Sequence, residues 1–146
     1  MPGVGQRALA FVEECIVESD LLILVARVML MVLFVMTGWQ KLTGFAGTVD
    51  YMKTIGVPSP ALAAIVATVV EFFFALGIIV GIYTRVLAWI FVAFTLATAL
   101  LGHRFWTMQG EKRHENFLNF FKNVSIAGGL VLLALVGPGR YALIGS

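Results

Sequence analysis

Cysteine and charge are both scarce in this chain, and each shortage excludes a class of protein. The sequence contains 1 cysteine, Cys15, so neither an internal disulfide nor a Cys-x-x-Cys redox pair can form within it. Charged residues make up 12% of the chain and the net charge is +2, whereas a soluble domain has about 25% charged residues. The basic residues form no cluster or stripe, which excludes a nucleic-acid partner. Cys15 is interpreted as a bystander, so any electrons would travel on another group.

Recognisable catalytic motifs are absent as well. The sequence has no Gly-rich phosphate loop, no nucleophile elbow and no arrangement of paired catalytic carboxylates. His103 and His114 share one loop with Glu111 and Glu115, but their spacing matches no established pattern of ligands, so no metal is predicted. No histidine lies inside an apolar run, which argues against a haem held by two histidines.

Long apolar runs take the place of polar surface. Hydrophobic residues make up 60% of the chain, and a helix needs about 20 mostly apolar residues to cross a membrane. Isolated strands would leave backbone groups unpaired in lipid, so such runs are predicted to be helices. The predicted fold is an all-α integral membrane bundle of four transmembrane helices, at Leu21–Gly38, Pro60–Ile82, Val86–Leu101 and Phe117–Val136.

Two further segments are amphipathic and too polar to span. Over residues 6–20, Leu9, Val12 and Ile16 recur at helical spacing, which predicts an N-terminal helix lying at the membrane interface. Residues 45–56 show the same pattern and predict a short amphipathic helix in the first loop. The chain therefore divides into an N-terminal amphipathic segment, residues 1–20, and a four-helix membrane domain, residues 21–142.

Three ionisable residues, Arg27, Glu71 and Lys122, lie within the predicted spans. Each costs a few kcal/mol to place in a membrane, and such groups persist when they face the bundle interior and pair. At 1.5 Å per residue along each helix, the depths of the three residues in the membrane differ by steps of about 6 Å, and this series is called the charge ladder below. Either Glu71 neutralises one or both bases and locks the helices together, or the charge ladder lines a cavity for a polar or redox-active ligand.

More polar side chains gather at the end of the bundle that carries the first and third loops. Lys41 ends the first span, His103 follows the third, and Asn123 lies in the first turns of the fourth. The predicted ligand-binding site or intramembrane charge network therefore comprises Arg27, Lys41, Glu71, His103, Lys122 and Asn123.

Short motifs follow one another in a characteristic order along most of the chain. They are Arg27, Gly38-Trp39-Gln40-Lys41-Leu42, Ile55-Gly56-Val57-Pro58, Glu71, Gly81-Ile82-Tyr83-Thr84-Arg85, His103-Arg104-Phe105-Trp106, Phe121-Lys122-Asn123 and Gly137-Pro138-Gly139-Arg140-Tyr141. This series, over roughly residues 20–142, resembles the DoxX family of small four-helix membrane proteins. The acidic N-terminal extension is a departure from the resemblance.

The resemblance implies a multi-pass protein of the bacterial cytoplasmic (inner) membrane with a link to redox complexes. Members of the family are associated with thiosulfate:quinone oxidoreduction, with terminal quinol oxidase complexes and with membrane-bound oxidative-stress assemblies. The chain would be at most a non-catalytic or quinone-interacting subunit of an oxidoreductase, with no intrinsic cofactor. A soluble or membrane redox partner would then supply the metal or flavin.

Three hypotheses about function follow. In the first, the chain is a quinone-interacting subunit in which Glu71 carries the proton, and a cavity bordered by Glu71 and Lys122 is expected. In the second, it is a structural or assembly subunit, with Arg27 in contact with Glu71 and no cavity. In the third, it is a small transporter or permeability factor, which would need a continuous polar path or a symmetric homo-oligomer.

Overall fold

The computed structural model describes the backbone of residues 4–144 and the side chains from residue 17 onward, and this part of the chain is built from helices and turns. The α-helices are α1 (Val4–Thr43), α2 (Phe45–Thr54), α3 (Pro60–Thr68), α4 (Ala75–Val80), α5 (Thr84–Gly102) and α6 (Gly110–Val136). A π-helical segment, Val69–Phe74, joins α3 to α4 without a break, and a 3₁₀ turn, Phe105–Thr107, follows α5.

Four helical segments in the described residues are long and apolar enough to cross a membrane: Val17–Thr43, Pro60–Val80, Thr84–Thr107 and Gly110–Val136. The predicted four-helix membrane fold is therefore confirmed. The fourth segment begins seven residues before the predicted Phe117, because α6 continues through polar residues that hydropathy alone does not count as a span.

The ends of the spans follow from their turn residues. Pro60 occupies the first turn of α3, where its missing amide proton costs nothing. Gly81 ends α4 in the left-handed conformation, at φ +82°. Only a short turn then separates α4 from α5, so the second and third spans are neighbours in the bundle.

The N-terminal segment and the first span form a single helix. α1 runs from Val4 to Thr43 with no break near residue 20. Side chains of residues 1–16, Cys15 among them, lie outside the described part, so the interfacial position of this segment and the division of the chain at residue 20 stay predictions. The predicted helix in the first loop is confirmed as α2.

The interior of the bundle is filled by small residues around a few large ones. Phe34 of α1 meets Phe91 of α5 edge to face, with ring centroids 4.7 Å apart. The buried alanines lie on the spans around them, at Ala64, Ala67, Ala75, Ala88, Ala99, Ala127 and Ala134. Small side chains let membrane helices approach closely, since lipid gives no hydrophobic drive for helix association.

Arg27 is fully buried and binds the C-terminal segment that follows α6. Its Nη1 donates to the carbonyl oxygen of Pro138 at 2.8 Å, and its Nη2 donates to that of Tyr141 at 2.5 Å. The contact between Arg27 and Glu71 that was expected of a purely structural subunit is not found, because the guanidinium reaches backbone carbonyls instead.

Other contacts hold the end of α6 and the segment after it in place. Arg85 donates to the carbonyl oxygens of Ala134, Leu135 and Val136, which have no helical partners because α6 ends there. The Asp20 carboxylate accepts from the backbone N–H of Arg140 at 3.0 Å. Residues 137–144 therefore close the end of the bundle opposite Lys41.

Replacing Arg27 by methionine should destabilise the protein by about 3 kcal/mol, because two carbonyls lose a charged donor in a buried site. Arg27→Lys should lie between methionine and wild type, since one ammonium cannot match the guanidinium fork. Thermal unfolding in detergent checks this, with Arg140→Met as control, whose side chain is 69% exposed. Equal stability of Arg27→Met and Arg140→Met would contradict the closure described here.

Candidate functional site

The second intramembrane charge, Glu71, is paired with Lys41. Glu71 is 7% exposed, and its Oε2 accepts from Lys41 Nζ at 2.6 Å and from Thr37 Oγ1 at 2.6 Å. Thr37 and Lys41 lie one turn apart on α1, so both side chains reach the same point on the second span. Both described bonds use Oε2, which leaves Oε1 of the carboxylate to accept from a ligand.

Glu71 is carried by the π-helical segment Val69–Phe74. A π segment fits one extra residue into a helix, and such segments occur often at functional sites. Directly opposite lies Gly38 of α1, where a Cβ would be 2.6 Å from the backbone nitrogen of Phe72 and 2.9 Å from the carbonyl oxygen of Glu71. The backbones of the first two spans therefore touch beside the ion pair, and only glycine fits at position 38.

A cavity of about 420 Å³ lies against this ion pair. It is lined by all four spans and by α2, and most of its wall is apolar, including Phe34, Met52, Val66 and Phe94. Its polar wall consists of Thr37, Lys41, Glu71, Thr98, His103 and Asn123. The cavity is therefore a mostly apolar binding space with hydrogen-bonding groups along part of its wall, beside the Lys41–Glu71 ion pair.

His103 is positioned at the end of α5 by a contact with α6. Its Nδ1 lies 3.1 Å from Asn116 Oδ1, and Asn116 in turn donates to the carbonyl oxygen of Lys112. Since the amide oxygen is an acceptor, this contact favours a proton on Nδ1 and leaves Nε2 as an acceptor.

The structure brings four of the six predicted site residues together: Lys41, Glu71, His103 and Asn123 all line the cavity. Arg27 lies elsewhere, about 21 Å along α1 from Lys41. Lys122 points away from the cavity and is exposed, with its Nζ 3.3 Å from Asn119. Sequence reasoning missed Thr37 and Thr98, although Thr37 precedes Lys41 by one helical turn and could have been found from that spacing.

Gly38→Ala should destabilise the protein by about 2 kcal/mol, because the new methyl group meets backbone that cannot give way. The matched substitution Gly128→Ala adds the same methyl group where nothing lies within 4 Å. That variant should be neutral or more stable by up to about 1 kcal/mol, since alanine favours helix. Thermal unfolding of both variants distinguishes a close backbone contact from a general intolerance of larger residues.

Lys41→Met should cost about 2 kcal/mol of stability, because Glu71 then stays buried without its cation and the Lys41 side chain is only 23% exposed. Glu71→Gln should cost less, since the amide oxygen still accepts from Thr37. The double variant should be more stable than the sum of the two losses predicts, by about 1 kcal/mol. Additive losses in a double-mutant cycle would show that the two side chains do not interact.

Comparison with known proteins relates the chain to a family of membrane proteins. The DoxX family model matches residues 22–104, a stretch that includes Lys41, Glu71 and His103. The chain is 48% identical over 122 residues to "Inner membrane protein YphA" of Escherichia coli K12, covering 84% of this chain and 87% of the relative. It is 41% identical over 125 residues to "Inner membrane protein YqjF" of the same organism, covering 86% and 91%. No solved structure matches the chain.

Proposed function

The chain belongs to the DoxX family and is a multi-pass protein of the bacterial inner membrane, and from this premise we propose that it binds a quinone or quinol in the cavity beside Lys41 and Glu71. It would serve as the quinone-interacting subunit of a redox-associated complex. One observation carries the proposal: a largely buried ion pair forms part of the wall of a mostly apolar cavity.

The size and lining of the cavity support a lipophilic ligand. Its volume of about 420 Å³ lies within the usual range for small-molecule sites, roughly 300–1,000 Å³. Phe34, Val66 and Phe94 supply apolar contact for a ring or an isoprenoid chain. The cavity lies within the spans, so a ligand dissolved in the bilayer is the kind that reaches it most readily.

The polar groups support a head group that switches between accepting and donating hydrogen bonds. Lys41 has three N–H donors, of which Glu71 uses one, so the others can donate to a quinone carbonyl. Glu71 Oε1 and His103 Nε2 can accept from a quinol hydroxyl. Since Lys41 and Glu71 neutralise each other, the site favours an uncharged head group.

Within this proposal Glu71 is the main group that exchanges protons with the ligand, and His103 is the second. Oxidation of a quinol releases two electrons and two protons, and the electrons would pass to a redox partner, soluble or membrane-bound. Lys41 would orient the head group, Glu71 would take the proton of one hydroxyl, and His103 Nε2 would take the proton of the other.

An assembly role without a ligand remains the second candidate, and one observation favours it. Lys41 and Glu71 satisfy each other directly at 2.6 Å, so the pair can join the first two spans with no ligand present. The same pair can also contact a ligand, since both residues line the cavity. The transporter hypothesis stays a prediction.

The proposal predicts that a quinone co-purifies with the protein in mild detergent and is identified by mass spectrometry of the extracted lipophiles. Glu71→Gln should reduce its amount about tenfold, because a charge-assisted hydrogen bond is lost. Lys122→Ala is the matched control, since it removes a nearby charge that faces away from the cavity. It should retain the wild-type amount.

Thermal unfolding of the same preparations shows whether each variant is folded. Absence of quinone from the wild-type protein would contradict the proposal. Equal quinone in wild type, Glu71→Gln and Lys122→Ala would contradict the part assigned to the ion pair. In either case the assembly role becomes the better account.

A further inference from the structure

One wall of the cavity is formed by a helix that is only lightly held. Tyr51 and Met52 of α2 line the cavity, as do Ile55 and Val57 just after it. Yet α2 has no buried residue. Its apolar side therefore covers the cavity without being part of the packed core.

The two ends of α2 carry glycines. Gly44 is the single residue that separates α1 from α2. Gly56 follows α2 at φ +73°, and a Cβ there would meet nothing within 4 Å. A glycine at each end, one of them in open space, lets the backbone dihedrals change with little steric cost.

One side chain ties α2 to the opposite side of the cavity. Arg104 Nη2 donates at 2.9 Å to the carbonyl oxygen of Ile55, the C-cap residue of α2. Arg104 directly follows His103, which lines the cavity, so this bond spans the gap between the first and third loops. In the described part of the chain, no other side chain outside residues 44–55 hydrogen-bonds to this segment; its remaining side-chain bonds are internal.

We propose that α2 is a hinged cover of the cavity and that Arg104 is the positioning residue that holds it closed. Opening at Gly44 and Gly56 would let a ligand pass between α2 and the third loop. The nature of that ligand rests on the proposed function, whereas the opening itself does not. The bond is exposed, so water can replace it when the cover opens.

Access to the cavity can be measured without any ligand. Cys15 is replaced by serine, and Thr98, which lines the cavity, is replaced by cysteine. The full chain is placed in nanodiscs, where both faces meet water, and the rate of reaction with a water-soluble maleimide is followed. Arg104→Ala is then added, with Arg113→Ala as the matched loss of an exposed arginine from the same region.

Arg104→Ala should raise the labelling rate of the cysteine at position 98 about tenfold, the change expected from losing one charged hydrogen bond. Arg104→Lys should remain close to the wild-type rate, because an ammonium can still donate to the Ile55 carbonyl. Arg113→Ala should not change the rate. A second reporter, Gln109→Cys, is exposed and should label equally in every background, which controls for differences in reagent and thiol reactivity. Thermal unfolding of each variant shows that Arg104→Ala is still folded.

An unchanged labelling rate in Arg104→Ala would overturn the proposal that α2 is a cover. An equal rise in Arg113→Ala, or a failure to label position 98 in any variant, would overturn it as well.

The link to the ligand is tested by the rate at which co-purified quinone passes from the protein into empty detergent micelles. Arg104→Ala should release the quinone about tenfold faster. Faster labelling in a protein that contains no quinone would overturn the proposed function and leave the cover standing. Bound quinone with unchanged labelling would overturn the cover alone.

Discussion

An ionised side chain inside a membrane must find a partner there, because the hydrocarbon offers it none. The bundle meets this constraint at two places on α1. Arg27 binds the carbonyls of residues after α6, and Lys41 binds Glu71 on the second span. The first contact closes one end of the bundle around the C-terminal segment. The second lies at the other end, where the spans line a cavity.

The two ends of the bundle differ in how many hydrogen-bonding groups of the buried charges stay available to a ligand. At the closed end both terminal nitrogens of the Arg27 guanidinium bind main-chain oxygens, and its buried Nε is the one nitrogen of that group without a described partner. At the cavity end the Lys41–Glu71 pair keeps free donors and a free carboxylate oxygen, and both residues face open space. Gly38 brings the two helix backbones together beside this pair, and the π segment carries the carboxylate there. The cavity is bordered by tightly packed helices at Gly38 and by the lightly held helix α2. This combination suits a site that binds and releases a lipid-soluble molecule.

The four spans could be predicted from the sequence because length and hydropathy decide them, and Pro60 and Gly81 mark ends that local backbone chemistry requires. The partners of the buried charges could not be predicted in the same way. Counting residues gives the depth of Lys122, but its direction depends on how α6 is rotated against its neighbours. Asn123, the next residue, lines the cavity, whereas Lys122 points away from it. Arg27 finds its partners 111 and 114 positions away, in a segment whose sequence gives no sign that it folds back.

Photo-crosslinking with an azido-quinone tests the central claim, that the cavity beside Lys41 and Glu71 is a quinone site, most directly. The protein is illuminated in nanodiscs with the probe, and the labelled peptides are mapped by mass spectrometry. Labels on cavity-lining residues of α1 and α5, such as Thr37 and Thr98, that disappear with excess unlabelled quinone are the predicted result. Labels confined to outward-facing residues such as Leu132 and Leu135, and unaffected by competitor, would contradict it.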